Sequence, residues 1–327
     1  MRNNFLSLFS FISFVPFFFA ALTVFVFAAE TKPIEVLTAN VRLATVDDGE
    51  NHWLKRRDAM MDIIKSRKYD FIGTQELVIH PKDDVNQYKF MCEKLPEYGS
   101  VFRSREQDTR LGEGTGVFYR KDRWQPDDTE QGVYWLSDTP SVPGSKTWKD
   151  QGNIRIVTGG LFYEKGDDGK LTGKSVYFYS THFDHKSEIA RQKAANLVMR
   201  RIAERKSENV PVILVGDFNT GENTPSIRFL RGETVELDGE ERKPPLGLVD
   251  TFRAVHPDAT DVGTYQGFKQ PKPNGAKIDF VFTTPDLKTT DAEIIRTKTP
   301  SGHYPSDHFF VRATLSLPLG APTGVAY

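Results

Sequence analysis

The feature that most constrains this chain is an apolar run that stops at a carboxylate. Pro211-Val212-Ile213-Leu214-Val215 is followed at once by Gly216-Asp217-Phe218-Asn219. A run of this length and β-branched content reads as a buried strand. Gly216 falls where that strand ends, and it permits a tight turn and close approach of the backbone to a ligand. Asp217 and Asn219 then leave the strand end on one side, at the edge where open α/β sheets bind ligands. An Asp beside an Asn can hold a water, a metal ion or a phosphate oxygen; Gly-Asp-x-Asn is also ordinary turn chemistry.

The same plan recurs along the chain. Thr38-Ala39-Asn40-Val41-Arg42 ends a first strand, and Asp70-Phe71-Ile72-Gly73-Thr74-Gln75-Glu76 reads as a strand ending in a carboxylate. Tyr177-Phe178-Tyr179-Ser180-Thr181-His182 ends in an imidazole, and Ile278-Asp279-Phe280-Val281-Phe282 precedes Ser306-Asp307-His308. A lone histidine is usually a packed core residue, but this repetition in a chain of seven histidines points to a shared site. Between these segments, helical spacing predicts helices over 53–68 and 186–205, a helix-like stretch over 85–95, and a short helix over 225–230. Further strands are predicted over 114–119 and near 278–283, 292–297 and 309–316.

The amino terminus differs from the rest. Arg2 precedes a Phe-rich apolar stretch, 5–29, that gives way to Glu30-Thr31-Lys32-Pro33. Residues 1–29 therefore read as a signal peptide cleaved after Ala28 or Ala29, which places the protein outside the cytoplasm, secreted or periplasmic. The run is long enough to span a bilayer, so a membrane-anchored form with an uncleaved signal is the alternative; Ser7, Ser10, Ser13 and Pro16 favour cleavage. Residues 30–327, about 300 in number, suffice for one domain with a substantial core. Cys92 is the only cysteine, which excludes an internal disulfide despite export. The formal charge of −1 gives no electrostatic case for nucleic acid. No Cys cluster or HExxH pair points to zinc.

At Asn40, Gln75-Glu76, Thr181-His182, Gly216-Asp217-Phe218-Asn219, Ile278-Asp279 and Ser306-Asp307-His308 the chain resembles the endonuclease/exonuclease/phosphatase family. The resemblance covers about residues 34–316. Tyr134-Trp135-Leu136-Ser137-Asp138-Thr139-Pro140, Thr181-His182-Phe183-Asp184-His185 and His303-Tyr304-Pro305-Ser306-Asp307-His308 look most like its secreted bacterial branch. It implies a DNase I-like α/β fold: two mostly antiparallel β-sheets packed as a sandwich, helices on the outer faces, and the site at one end.

The resemblance also implies roles. Phosphate esters resist hydrolysis because anionic oxygens repel the nucleophile, and hard divalent ions with oxygen ligands relieve this. Mg²⁺ is implied, with Mn²⁺ or Ca²⁺ as alternatives; Glu76 is the leading ligand, with Asn40 and Asp307 in the inner or second shell. Asp217 is expected to orient or deprotonate the attacking water, and Asn219 to hold the phosphate or that water. His308 is expected to pair with Asp279, and His182, supported by Glu113, to contact a phosphate oxygen. Arg42 stands where abasic-site endonucleases carry an acid, so a second metal there is disfavoured and a guanidinium fork to phosphate becomes available. Arg155 is a second phosphate contact or a surface arginine. His185 and His303 flank the motif histidines. Tyr134, Trp135 and Trp148 are either stacking platforms or core.

Together these residues suggest an exported, metal-dependent phosphoesterase cleaving phosphodiesters, a nuclease being one version. Alternatives are a phosphomonoesterase, a phospholipase C-like or small-molecule phosphodiesterase, and a catalytically inactive binding module. The expected partner is a phosphate-ester substrate, polymer or small molecule; no stable protein partner is implied, and a monomer is expected.

Overall fold

Period-two alternation along each strand decides which residues enter the space between two sheets. The structure is a computed structural model and describes residues 32–108, 110–272, 275–299 and 302–317. The stretch read as a signal peptide lies outside these residues. One sheet is built from β1 (Ile34–Asn40), β2 (Phe71–Ile79), β3 (Tyr98–Ser104), β4 (Gly112–Arg120), β13 (Lys288–Ile295) and β14 (Phe310–Ser316), in the order β13-β14-β1-β2-β4-β3. The other comprises β5 (Trp124–Trp135), β6 (Ile156–Lys165), β7 (Leu171–His182), β8 (Val212–Asp217), β11 (Val249–Asp250) and β12 (Asp279–Thr283), in the order β11-β12-β8-β7-β6-β5. A small hairpin of β9 (Val235–Leu237) and β10 (Glu240–Arg242) stands apart.

Each large sheet is antiparallel except for one central parallel pair, β1 with β2 and β7 with β8. A parallel pair needs a crossover, and a helix supplies each one: α1 (Trp53–Lys65) links β1 to β2, and α3 (Glu188–Ala203) links β7 to β8. The shorter helices are α2 (Gln87–Lys94), α4 (Pro225–Leu230) and α5 (Thr251–Val255). The Ser187 side chain accepts a hydrogen bond from the Ala190 N–H and so caps α3. No helix among the described residues is long and apolar enough to cross a membrane.

The sheets meet face to face over Ile34, Val36, Phe71, Phe178, Val215 and Val311. Phe71 and Phe178 stack across the interface with centroids 4.8 Å apart. Outside one sheet, α1 and α2 close a second apolar layer containing Met60, Ile64 and Met91; outside the other, α3 and α4 close a third containing Val198, Ile202 and Phe229. The fold is thus the expected mostly antiparallel sandwich with outer helices. Two local boundaries and the buried face of one helix differ. The strand expected to stop at Glu76 runs on to Ile79, and the helix expected over 53–68 ends at Lys65. Of the apolar face that helical spacing gives it, Ala59, Met60, Ile63 and Ile64, it buries Met60 and Ile64 while Ala59 and Ile63 are half-buried, and Trp53, Arg56 and Met61 complete the buried face.

Gly73 sits at a close approach of the two sheets: a Cβ there would lie 2.2 Å from Val215 Cγ2 and 3.2 Å from the Ser180 side chain. Overpacking of this kind costs about 1–3 kcal/mol. Gly73→Ala is therefore expected to lower the urea midpoint with an unchanged m-value, and an unaltered midpoint would show that the interface has slack.

Candidate active site

The parity that puts Ile34, Val36, Val215 and Val281 into the inter-sheet layer also puts Asn40, Asp217 and Asp279 there, at strand ends. His182 enters in the same way behind Val176 and Phe178. Asn40 and His182 end β1 and β7, and Asp217 ends β8, so the carboxyl ends of the central parallel strands converge. Across the antiparallel pairing, Asp279 is the direct partner of Asp217. The result is a cavity of about 310 Å³ lined by Arg42, Glu76, Glu113, Arg155, His182, Asp217, Asn219, Asp307 and His308.

Glu76 reaches this cavity by a different route. Strict alternation would point Gln75 inward and Glu76 out, and Gln75 is indeed buried, bonded to Ser180 and Thr38. The register with β4 slips between Thr74 and Leu77, and Glu76 takes a positive φ of 58°. This bulge turns two adjacent residues to one side. Arg42 and Asn219 also carry positive φ, 56° and 51°. Non-glycine residues adopt this region at a cost, and such residues cluster at functional sites.

His308 donates from Nδ1 to Asp279 Oδ2 at 2.9 Å, and its Nε2 lies 3.8 Å from Asp217 Oδ2. Burial opposes a charge on this ring, but Asp279 and Asp217, with Asp307 beyond, outweigh it and raise His308 well above the ordinary histidine value. Burial pushes Asp279 up to about 6 despite the neighbouring imidazolium, so at neutral pH the pair is ionic. Burial likewise opposes ionisation of Asp217, but His308 and His182 hold its pKa far below the carboxylate range. His182 has the opposite bias: burial and the nearby Arg155 charge lower it to about 4. Its neutral ring lies 3.3 Å from Asp217 through Nε2.

Several expected contacts differ in the structure. Glu113 stands 4.0 Å from His182 Nδ1, too far for a hydrogen bond, and that nitrogen has no partner among the described residues. Glu113 instead accepts from Arg105 at 2.6 Å and faces Arg155 at 3.8 Å. Arg42 does not offer a free fork, because Asp48 takes it at 3.0 and 2.9 Å. Asn40 Oδ1 accepts from the Arg42 N–H at 3.0 Å, so its Nδ2 faces Glu76 and Asp217 at 3.2 and 3.1 Å. Asn40 therefore holds these carboxylates by donating to them. Asn219 donates its N–H to Asp217 and its Nδ2 to the Phe183 carbonyl. Arg155 is buried at 4 % exposure, not on the surface, and its Nε has no partner among the described residues. Its Nη2 lies 3.2 Å from His185 Nδ1, and His185 lines the cavity while exposed His303 does not. Trp135 and Trp148 are buried, with their Nε1 groups bonded to Arg105 O and Asp138, and Tyr134 lines a separate cavity.

The acidic side of the cavity suits a hard cation. Asp307 is buried, yet among the described residues its carboxylate accepts only a 3.4 Å contact from Ser306 and lies 3.7 Å from Arg42. Burial, with Glu76 adding to it, raises the Asp307 pKa. A carboxylate so poorly satisfied beside a second one is a donor set for a divalent ion with oxygen ligands. Asp217, Asp279 and His308 form another group close enough to share an ion, but there the His308–Asp279 hydrogen bond already commits the donor atoms.

Arg56 and Tyr265 were not legible as site residues. Buried Arg56 donates to the carbonyls of Asn51, Val41, Arg42 and Pro305, pinning the loop after Asn40 to the loop before Asp307. An arginine in step with Trp53 and Met60 on a buried helix face was the available signal. Tyr265, 55 % exposed, bridges to His308 and holds its ring 5.0 Å from the imidazole; nothing in its local sequence marks it.

Two outcomes follow. Arg56→Met leaves several buried carbonyls without donors and should destabilise the protein by on the order of 3 kcal/mol in urea denaturation. Asp279→Asn removes the charge that holds the His308 proton, so the His308 pKa falls. The alkaline limb of kcat/KM should move to lower pH by about one unit or more, and an unmoved limb would separate His308 from it.

The model of a family described as the endonuclease/exonuclease/phosphatase family matches residues 37–308. The structure resembles an endonuclease/exonuclease/phosphatase from Bacteroides vulgatus with a TM-score of 0.73 and 28% identity, covering 88% of this chain and all of that one. It resembles a mannosyl-6-phosphatase from Bacteroides thetaiotaomicron with a TM-score of 0.70 and 28% identity, covering 87% of this chain and 100% of the other. Among curated proteins, Nocturnin of Drosophila melanogaster is 23% identical over 284 residues, 79% of this chain but only 41% of its own length. Sheet order, converging strand ends and matched segments agree: this chain belongs to the endonuclease/exonuclease/phosphatase family.

Proposed function

We propose that this protein is an exported, metal-assisted phosphoesterase that hydrolyses small phosphate esters with a terminal phosphate, sugar phosphates being the leading class. The observation that carries the chemistry is the Asp217 carboxylate, set between a neutral His182 at 3.3 Å and a charged His308 at 3.8 Å. An ionised Asp217 is suited to orient a water and take its proton as that water attacks phosphorus. His308, aimed by Asp279, offers a charged N–H to a phosphoryl oxygen, and Arg155 adds a buried guanidinium. Asn40 and Asn219 hold the carboxylates in place. Glu76 and Asp307 would hold a divalent ion, with Mg²⁺ the first choice, and that ion would neutralise charge on the phosphate as it reacts.

The sequence alone favoured a diester. A small terminal ester is now preferred, because the cavity of about 310 Å³ lies at the lower end of small-molecule sites. Arg42 is already paired with Asp48 and so offers no free fork to a polyanion's backbone. The likeness to a mannosyl-6-phosphatase supports the same class. Export rests on the apolar stretch 5–29, and amino-terminal sequencing of the protein released by its host tests it.

The test of the chemistry is a substrate panel: p-nitrophenyl phosphate, mannose 6-phosphate, bis(p-nitrophenyl) phosphate, single-stranded DNA and RNA. Monoesters should turn over fastest, EDTA should stop turnover, and Mg²⁺ should restore it. Asp217→Asn and His308→Ala should each lower kcat by at least about 10³-fold. Undiminished turnover in either variant would remove the proposed site, and preference for DNA or RNA would remove the proposed substrate class.

A further inference from the structure

A second cavity, about 510 Å³, lies between the outer face of the β5–β6–β7 region and the end of α3, and shares no lining residue with the active site. Two glycines line it. Gly132 on β5 and Gly159 on β6 are direct cross-strand partners, on the face that α3 otherwise covers through Val157, Leu161 and Tyr177. A Cβ at Gly132 would meet nothing within 4 Å. Gly159 is required by the strand pairing, since a Cβ there would lie 2.0 Å from the Phe178 carbonyl oxygen at a φ of 143°, so the missing side chain at Gly132 is what leaves the hollow open.

The walls of this hollow are chemically specific. Tyr177 and Tyr179 stand parallel with centroids 6.0 Å apart, and Tyr134 completes the aromatic wall with Arg201 5.6 Å from its ring centroid. The Tyr177 hydroxyl is committed to Glu130 at 2.5 Å. Among the described residues, no hydrogen bond ends on the hydroxyl of Tyr134 or Tyr179. A concave site with flat apolar rings and a few free polar groups is the general form of a small-molecule site. The rim mixes Arg201, Arg205 and Lys206 with Glu130 and Glu204, so it does not select a polyanion.

We infer that the Gly132–Gly159 hollow is a second ligand site, which takes a neutral, polyhydroxylated ring, a sugar, with one face on the tyrosine wall and its hydroxyls on Tyr134 and Tyr179. The inference is independent of the catalytic proposal, because none of these residues touches the cavity holding Asp217.

Titration of the purified protein with methyl α-D-mannopyranoside and methyl β-D-glucopyranoside, read by calorimetry and saturation-transfer NMR, tests it. At least one sugar should bind with a Kd on the order of 1 mM, within reach of both methods. Gly132→Leu, which fills the hollow without strain, should weaken binding at least about tenfold while leaving thermal stability and turnover of p-nitrophenyl phosphate unchanged. Tyr179→Phe should weaken it less. Binding in Asp217→Asn should match the unaltered protein. No binding of either sugar, undiminished binding in Gly132→Leu, loss of binding in Asp217→Asn, or tighter binding of adenosine monophosphate than of either sugar would each overturn the inference.

Discussion

The layer between the two sheets is apolar along its length and charged at one end, and the rest of the structure answers to that constraint. Asp217, Asp279, Asp307 and Glu76 project into a region from which water is largely excluded, and such groups stay ionised only when paired. His308 meets Asp279 and lies near Asp217, Asn40 donates to Glu76 and Asp217, and Asp307 is left nearly unpartnered. The surplus of negative charge is what makes a divalent cation a natural occupant. It also sets the opposed tendencies of the two histidines, one raised by carboxylates and the other lowered by burial and Arg155.

Holding that cluster together is the task of residues with no chemistry of their own. Arg56 ties the carbonyls of Val41, Arg42 and Pro305 to one guanidinium, so that loops remote in sequence present Asn40 and Asp307 to a single cavity. Gln87 adds a further bond to the Arg42 carbonyl. The Asp48 grip on Arg42 belongs to the same scaffold, which explains why this arginine turns from the phosphate role that its position suggested. Positive φ at Arg42, Glu76 and Asn219 shows the backbone held away from its preferred conformations where the side chains must converge.

Glycine serves two unlike ends in this fold. Gly73 lets the sheets close to contact, since even a methyl group there would overlap Val215. Gly132 does the reverse on the outer face, where the missing side chain leaves room beside the end of α3 and a Cβ would meet nothing within 4 Å. Both effects come from the absence of a Cβ. The surroundings alone decide whether that absence produces tight packing or a hollow.

Apolar runs ending in Asn40, His182 and Asp217, and the run that Asp279 begins, were enough to place four site residues, because period-two alternation carries a strand's inner face directly to its end. The ordered motifs carried the resemblance to the family, and helical spacing located both crossovers. Glu76 was named as a strand-end carboxylate too, but the strand runs on to Ile79 and a bulge set by pairing with β4, not by local pattern, turns Glu76 into the cavity. The partners of Glu113, Arg42 and Arg155 were likewise decided by tertiary structure, because a salt bridge depends on which loops meet in space. Strand chemistry was thus local and legible. Charge pairing, cavity size and the tyrosine-lined hollow arose only when distant segments packed together.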